Sequence, residues 1–418
     1  MNTRLALLCG AVLIDMIGFG IVLPLLPFYA ESFHATPSDV TLLIASFSAM
    51  QLAAAPLWGR LSDARGRKPI LLLELMISAV AYALFALADS LLMLFASRLL
   101  AGAAGGTVAV AQAYVADTTT KQERARGLGI IGAAAGLGVM IGPAIGGVFS
   151  RFGMGAPGWV AAALCLLDAI AILFLLPESR PTRDESGAPR RRRTLTLSAW
   201  AQSLTTQPLA LLLGVYFMSI SSFAAMTSTL ALYVERAFAM NAPEMGWVLT
   251  ASGGVTVVVR GILLGPLVAR FGEATTARIG AVSLALALLL VPIIPGKWWL
   301  ASVVVFYAGG AGTLFPSLAS LVSRATHADV QGAILGGSQM IGGLGRVIGP
   351  VWAGVVFERV GIGAPFVIGS AIVFAAAVLA LRIPAAADDA MPSPTEPPVE
   401  GRTDEAMAEE AAIKPAAP

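Results

Sequence analysis

Apolar residues run along this chain in stretches of about twenty, parted by short polar or charged joints. A helix rises 1.5 Å per residue, so roughly 20 apolar residues cross the ~30 Å hydrocarbon layer of a bilayer. Twelve segments qualify: about 5–29, 42–61, 69–88, 92–116, 128–150, 158–176, 208–232, 244–268, 276–294, 298–322, 332–357 and 363–382. The fourth and fifth are rich in Gly and Ala, as close helix approach requires. The tightest joint is Gly59-Arg60-Leu61-Ser62-Asp63-Ala64-Arg65-Gly66-Arg67-Lys68, with five charges in ten positions.

That joint recurs 206 residues later as Gly265 to Gly272, with Ala269 where Asp63 stands. A second register agrees: Gly129, Gly136, Gly138 and Gly142-Pro143 match Gly336, Gly343, Gly345 and Gly349-Pro350 at a constant offset of 207. The pattern predicts an all-α membrane protein of twelve transmembrane helices in two pseudo-symmetric six-helix bundles. Residues 1–176 form the first bundle, 177–207 a basic linker, 208–383 the second bundle and 384–418 a Pro-, Ala- and Glu-rich tail expected to be disordered.

Composition narrows the class. The chain has 418 residues, 57% hydrophobic and 12% charged, with mean hydropathy +0.81, where soluble domains carry roughly 25% charged residues. A water-soluble globule is excluded, and a net charge of +2 gives no case for nucleic acid. Cys9 and Cys165 lie in apolar runs and read as small buried hydrophobes, without disulfide or metal spacing. Neither a phosphate-cradling loop nor a hydrolytic Ser, His and Asp set occurs, so neither a cofactor nor an enzyme is expected. Arg4 precedes an apolar run to Tyr29 that lacks a small-residue cleavage site, and is read as a retained first span.

Lys and Arg set the orientation. With the N-terminus inside, Arg4, Arg60, Arg65, Arg67, Lys68, Lys121, Arg124, Arg126, Arg180, Arg183, Arg190 to Arg193, Arg270, Arg278, Arg324 and Arg382 are cytoplasmic. The other side receives only Arg151, Arg236, Lys297 and Arg359. Both termini are therefore expected in the cytoplasm. The Arg190 to Arg193 run reads as an inside-positive signal on a linker, with contact to anionic headgroups as the functional alternative.

Ionisable residues deep in spans are the site candidates, because burying them costs several kcal/mol. They are Asp15, Glu74, Arg98, Asp168, Arg260 and Arg346. Asp15 falls near mid-membrane beside Gly18 and Gly20, where a carboxyl can take up and release a proton; Arg98 is its expected partner. Glu74 lies toward the cytoplasmic side and is a candidate for the charged joint instead. Arg260 and Arg346 are costly against lipid, so each is expected to face a cavity or an acid, and an anionic substrate group is one option. His34 and His327 fall in loops and read as solvated.

The joint itself reads as a latch of Gly59, Asp63, Arg65, Gly66, Arg67 and Arg126. Its glycines permit a tight turn, and Asp63 can pair with Arg67 or Arg126 or face a helix N-terminus. With the acid absent from the second copy, the latch is expected on one side only. Gly138, Gly142, Pro143 and Gly146 read as a helix interface, with Pro143 able to bend its span.

These runs resemble the major facilitator superfamily, whose loop between the second and third helices matches Gly59 to Lys68. Asp15 to Gly20 with Leu23-Pro24, Arg98 to Gly102, and Gly138 to Gly147 resemble its twelve-span drug:proton antiporters, and Ala116-Asp117-Thr118-Thr119 is similar to the tetracycline-efflux branch. The resemblance implies proton-coupled export of an amphipathic small molecule from a bacterial inner membrane by alternating access, with Arg98 in proton coupling and the protein acting as a monomer. The span-five run is typical of exporters. The chain departs from tetracycline exporters in having Tyr82 in mid-span three, no acid in 276–294, and Arg260 with no histidine in span eight. A proton-coupled symporter for a sugar or organic acid is the first alternative, and a non-transporting membrane receptor on the same fold the second.

Overall fold

The computed structural model describes residues 3–119, 121–179, 207–326 and 331–383. Arg190 to Arg193, most of the linker, the tail and His327 lie outside the described residues. Eleven long apolar helical stretches occur among those described. One of them, Ala242–Leu290, has 49 residues and would reach ~74 Å if straight, far beyond the bilayer. It is two spans, parted at Gly272, whose φ of 77° only glycine adopts freely. Gly66, with φ 102°, parts the second and third spans in the same way. The two positive-φ glycines stand 206 positions apart, so the sequence repeat is also a backbone repeat.

The first six spans are Thr3–Val22 continued by Leu26–Glu31, Pro37–Arg65, Arg67–Ala86, Leu91–Ala103 with Thr107–Thr118, Lys121–Phe149 and Ala156–Leu175. Span seven is Leu209–Phe238, and span eight is Ala242–Val258 with a π-helical turn at Val259–Leu263. Helix Leu264–Leu290 completes span eight and, past Gly272, forms span nine. Leu300–Arg324, Gln331–Arg359 and Ala364–Leu379 are the last three.

Spans one and four, expected as continuous, are each interrupted. Pro24 and Pro27 withdraw two backbone donors around Leu23–Leu25, and Gly105-Gly106 ends the first half of span four. Spans two and five reach 29 residues because their ends extend past the apolar layer. Thr36 and Asp39 form a capping box ahead of span two, with Pro37 in its first turn, and Asn241 and Glu244 do the same for span eight.

Within the first bundle span five packs along span one. A Cβ at Gly138 would come 2.6 Å from the Leu13 carbonyl oxygen, and one at Gly142 2.6 Å from that of Ile17; Gly146 meets Ile21 in the same way. Both sides step by four residues, so two backbones lie against each other over two turns. Span eleven repeats the arrangement on span seven, with Gly345 against Ile220 and Gly349 against Ser221. Pro143 does not interrupt its helix, which runs unbroken from Lys121 to Phe149. Around the outside large apolar side chains stay uncovered, Phe174 at 77% and Leu167 at 62%, as a surface facing lipid requires.

The bundles meet along spans five and eight and along spans two and eleven. Away from the charged joint the meeting is close. Gly147 lies on Pro243, Gly246 on Pro143 and Gly253 on Met140, while Gly354 lies on Thr41 and Gly343 on Leu52. Ser38 donates to Glu358 at 2.5 Å and Arg236 pairs with Glu31 at 3.2 Å, both across the bundles. Toward the charged joint the spans part. Cβ atoms at Gly129, Gly132 and Gly136 of span five, Gly254, Gly261 and Gly265 of span eight and Gly336 of span eleven would meet nothing within 4 Å. The molecule is thus sealed at one end and open between its bundles at the end bearing Gly59 to Lys68.

Candidate functional site

Three acids collect inside the first bundle. Asp15, Glu74 and Asp168 are 7%, 0% and 5% exposed, and both Glu74 and Asp168 lie within electrostatic reach of Asp15. Span one presents Asp15 toward Thr107, the first residue of the second half of span four. The interruption of span four thus aims a helix N-terminus, the positive end of its dipole, at the acid cluster. The free carbonyls of the break are taken by span two: Gln51 donates to Gly105 at 3.2 Å and Trp58 to Ala103 at 2.5 Å.

Glu74 faces the same break, and a Cβ on Gly106 would collide with its carboxyl. Neither of its oxygens has a hydrogen-bond partner among the described residues. It belongs to the acid cluster and not to the charged joint, because span three carries it one and a half turns inward from Lys68.

Arg98 is not the ion-pair partner of Asp15. It is 4% exposed, and its guanidinium lies over the rings of Phe85 at 5.1 Å and Tyr82 at 5.8 Å. Cation–π contact holds the charge, which has no carboxylate partner among the described residues. The Tyr82 hydroxyl comes close to the Gly18 backbone, so this tyrosine, on span three, bridges the arginine to the stretch of span one that carries Asp15.

In the second bundle Arg260 sits in the π-helical turn of span eight and Arg346 at mid-length in span eleven. Neither has an ion-pair partner among the described residues. Arg260 is exposed and Arg346 half-buried.

The charged joint is tighter than a loop. Span two continues to Arg65 and span three begins at Arg67, leaving Gly66 as the only hinge; Gly59 is inside the helix with open space beside it. Arg67 is 4% exposed and pairs with Asp63 at 2.6 Å and with Asp117 of span four at 2.9 Å. Glu178, just past span six, accepts from the backbone N–H of Arg67 at 2.8 Å and thereby caps span three. Of the two partners expected for Asp63, Arg67 takes it and Arg126 is exposed. Arg65 is exposed as well.

The second copy is not stripped of charge, as the loss of Asp63 suggested. Glu273 opens span nine and pairs with Arg324, the last residue of span ten, at 3.1 Å, while Ser320 donates to the same Glu273 oxygen at 2.6 Å. Glu273 stands 206 residues after Arg67 and Arg324 207 after Asp117. The Arg–Asp pair of the first bundle is therefore repeated with its signs exchanged. Comparison of offsets across the acids and bases, and not only the glycines, reveals this pair in the sequence. Glu178 carried no such signal, since only tertiary packing brings it to Gly66.

A cavity of about 440 Å³ opens at the opposite end, between Phe28 and Arg151 of one bundle and Glu235, Asn241 and Pro243 of the other. It lies outside the seal formed by spans five and eight and touches none of the buried acids.

The sequence profile of the Major Facilitator Superfamily matches residues 8–350 and again 212–416. The chain is 30% identical to the class B tetracycline resistance protein of Escherichia coli over 361 residues, 86% of this chain and 89% of that one. It is 32% identical to the class D tetracycline resistance protein of Salmonella ordonez, over 86% and 91%. Multidrug resistance protein 2 of Bacillus subtilis (strain 168) is 25% identical, over 85% and 89%. The solved nucleoside transporter NupG aligns with a TM-score of 0.77 at 14% identity, over 91% of this chain and 99% of that one.

Proposed function

The chain belongs to the Major Facilitator Superfamily, and we propose that it exports an amphipathic, drug-like small molecule across a bacterial inner membrane in exchange for protons. The observation that carries the reading is the set of three buried acids inside the first bundle, two of them at the break of span four, together with a gap between the bundles that is open at one end only. Tetracycline and multidrug resistance proteins are its relatives over most of its length, which favours export over the symporter and receptor alternatives.

The excess of Lys and Arg supports a cytoplasmic position for the end bearing Gly59 to Lys68 and for both termini. The gap is then inward-open. Substrate enters from the cytoplasm and binds between the bundles; the bundles rock, the seal of spans five and eight and of spans two and eleven parts, and the substrate leaves outside. A proton taken up from outside by Asp15 resets the carrier, with Asp168 in the same proton-coupling set and Arg98 holding Tyr82 and span three in register. Exchange requires that proton and substrate favour different states. Bundles 1–176 and 208–383 move as bodies on the linker 177–207, and the working unit is a monomer.

Arg67 with Asp63, Asp117 and Glu178 ties spans two, three, four and six into one rigid piece at the cytoplasmic end. The latch thus acts within the bundle, as a staple that makes rocking cooperative. Accumulation of tetracycline and of rhodamine 6G in cells overexpressing the protein tests the reading. Lower accumulation of tetracycline than in controls, abolished by a proton uncoupler, is expected; equal or higher accumulation of both compounds in energised cells rules out export.

A further inference from the structure

Resting on the export reading, we infer that the substrate carries an anionic group beside an aromatic face, with Arg346 as its anchor and Arg260 at the entrance. Both guanidiniums lie within spans, where an uncompensated charge against lipid is costly. Helical phase places Arg260 toward the other bundle. Gly246, Gly253 and Arg260 recur every seven residues, and the first two touch Pro143 and Met140 of span five. Arg260 is the next position on that face, at the level where the bundles part, and its stem passes over Gly312 of span ten. The π-helical turn that carries it is a feature frequent at functional sites.

Arg346 follows Gly342 and Gly343 by one turn; these touch Tyr216 of span seven and Leu52 of span two, so the arginine lies between the two bundles at mid-depth. Tyr216 feels its charge, and from Tyr216 a row of rings extends over spans seven and ten. Phe315 meets Tyr216 edge-on at 5.9 Å, Phe223 meets Phe315 at 5.4 Å, and Tyr307 stacks on Phe223 at 4.9 Å.

Rearrangement of the protein does not supply the missing counter-charge. Span two has no acid in 40–59, span five none in 124–149, span seven none in 209–234 and span ten none in 300–323. The acids deep in the spans of the first bundle, Asp15, Glu74 and Asp168, are buried within it. These four spans therefore bring no acid to either arginine when the gap closes, and the counter-charge comes with the cargo. A guanidinium binds a carboxylate or sulfonate through two parallel hydrogen bonds, and the rings beside it take an aromatic body.

The test uses the full chain in lipid nanodiscs and two xanthene dyes of similar size and opposite charge, anionic fluorescein and cationic rhodamine 6G, with binding read by fluorescence anisotropy. Fluorescein is expected to bind at least about tenfold more tightly than rhodamine 6G, and R346Q to weaken fluorescein by about tenfold or more with R346K between, as loss of one charge-assisted pair implies. Equal or tighter binding of rhodamine 6G by the unmodified protein overturns the inference, independently of how any variant folds. So does fluorescein binding by a folded R346Q as tight as in the unmodified protein. Proton-driven uptake of both dyes and of tetracycline into inside-out vesicles is read separately. Its absence with fluorescein binding intact refutes export and leaves the anion site standing.

Discussion

The interiors of the two bundles differ in charge sign although their backbones repeat. The first holds Asp15, Glu74 and Asp168, buried away from the gap, with Arg98 shielded by Phe85 and Tyr82. The second holds Arg260 and Arg346, neither with an ion-pair partner among the described residues, and Tyr216 and Phe315 near Arg346. The duplicated scaffold thus carries buried acids in one half and, in the other, two arginines with no ion-pair partner among the described residues, and the proposed exchange of protons for an organic anion rests on that difference.

The largest effect is expected from neutralising the proton half. Asp15→Asn should reduce proton-driven transport by on the order of 100-fold, the scale at which a proton-transferring group contributes, while substrate exchange without a proton gradient persists. Unchanged proton-driven efflux in vesicles removes Asp15 from the coupling step. The two faces of span five offer the next comparison. Gly142→Leu presses on the Ile17 carbonyl and Gly20 and should lower stability by about 1–3 kcal/mol, read as a fall in melting temperature. Gly136→Leu enters open space in this state; it should fold normally and bind substrate from the cytoplasmic side, yet fail to transport because the gap no longer closes. Normal turnover by Gly136→Leu means that span five does not close on its neighbours there.

Smaller effects separate the sign-exchanged pairs. Arg67 is 4% exposed and Arg324 49%. Arg67→Ala strips Asp117 and Asp63 of a buried partner and should cost about 3 kcal/mol; Arg324→Ala removes a half-exposed partner from the buried Glu273, which keeps its hydrogen bond from Ser320, and should cost less. Thermal unfolding in one detergent compares them, and equal losses contradict the burial argument.

The number of spans, the two-fold repeat and the family were legible in sequence because each follows from local patterns: length of apolar run, glycine spacing and a charged joint. The capping residues Thr36 and Asn241 were present in sequence too, as Thr-Pro-Ser-Asp and Asn-Ala-Pro-Glu at matching places. The six deep ionisable residues were also visible, since any charge inside an apolar run stands out. Their partners were not. Whether Arg98 meets Asp15 or a ring depends on the rotation of spans one, three and four about their axes, which no apolar run specifies. Sequence by itself determined what had to be buried and how often the chain crosses the membrane. Only the tertiary structure decided who faces whom: Glu178 on span three, Glu74 at the break of span four, Arg98 on the rings of Phe85 and Tyr82. The physical reason is that hydrophobic length acts residue by residue along one helix, whereas ion pairing and close glycine contact depend on angles between helices far apart in sequence.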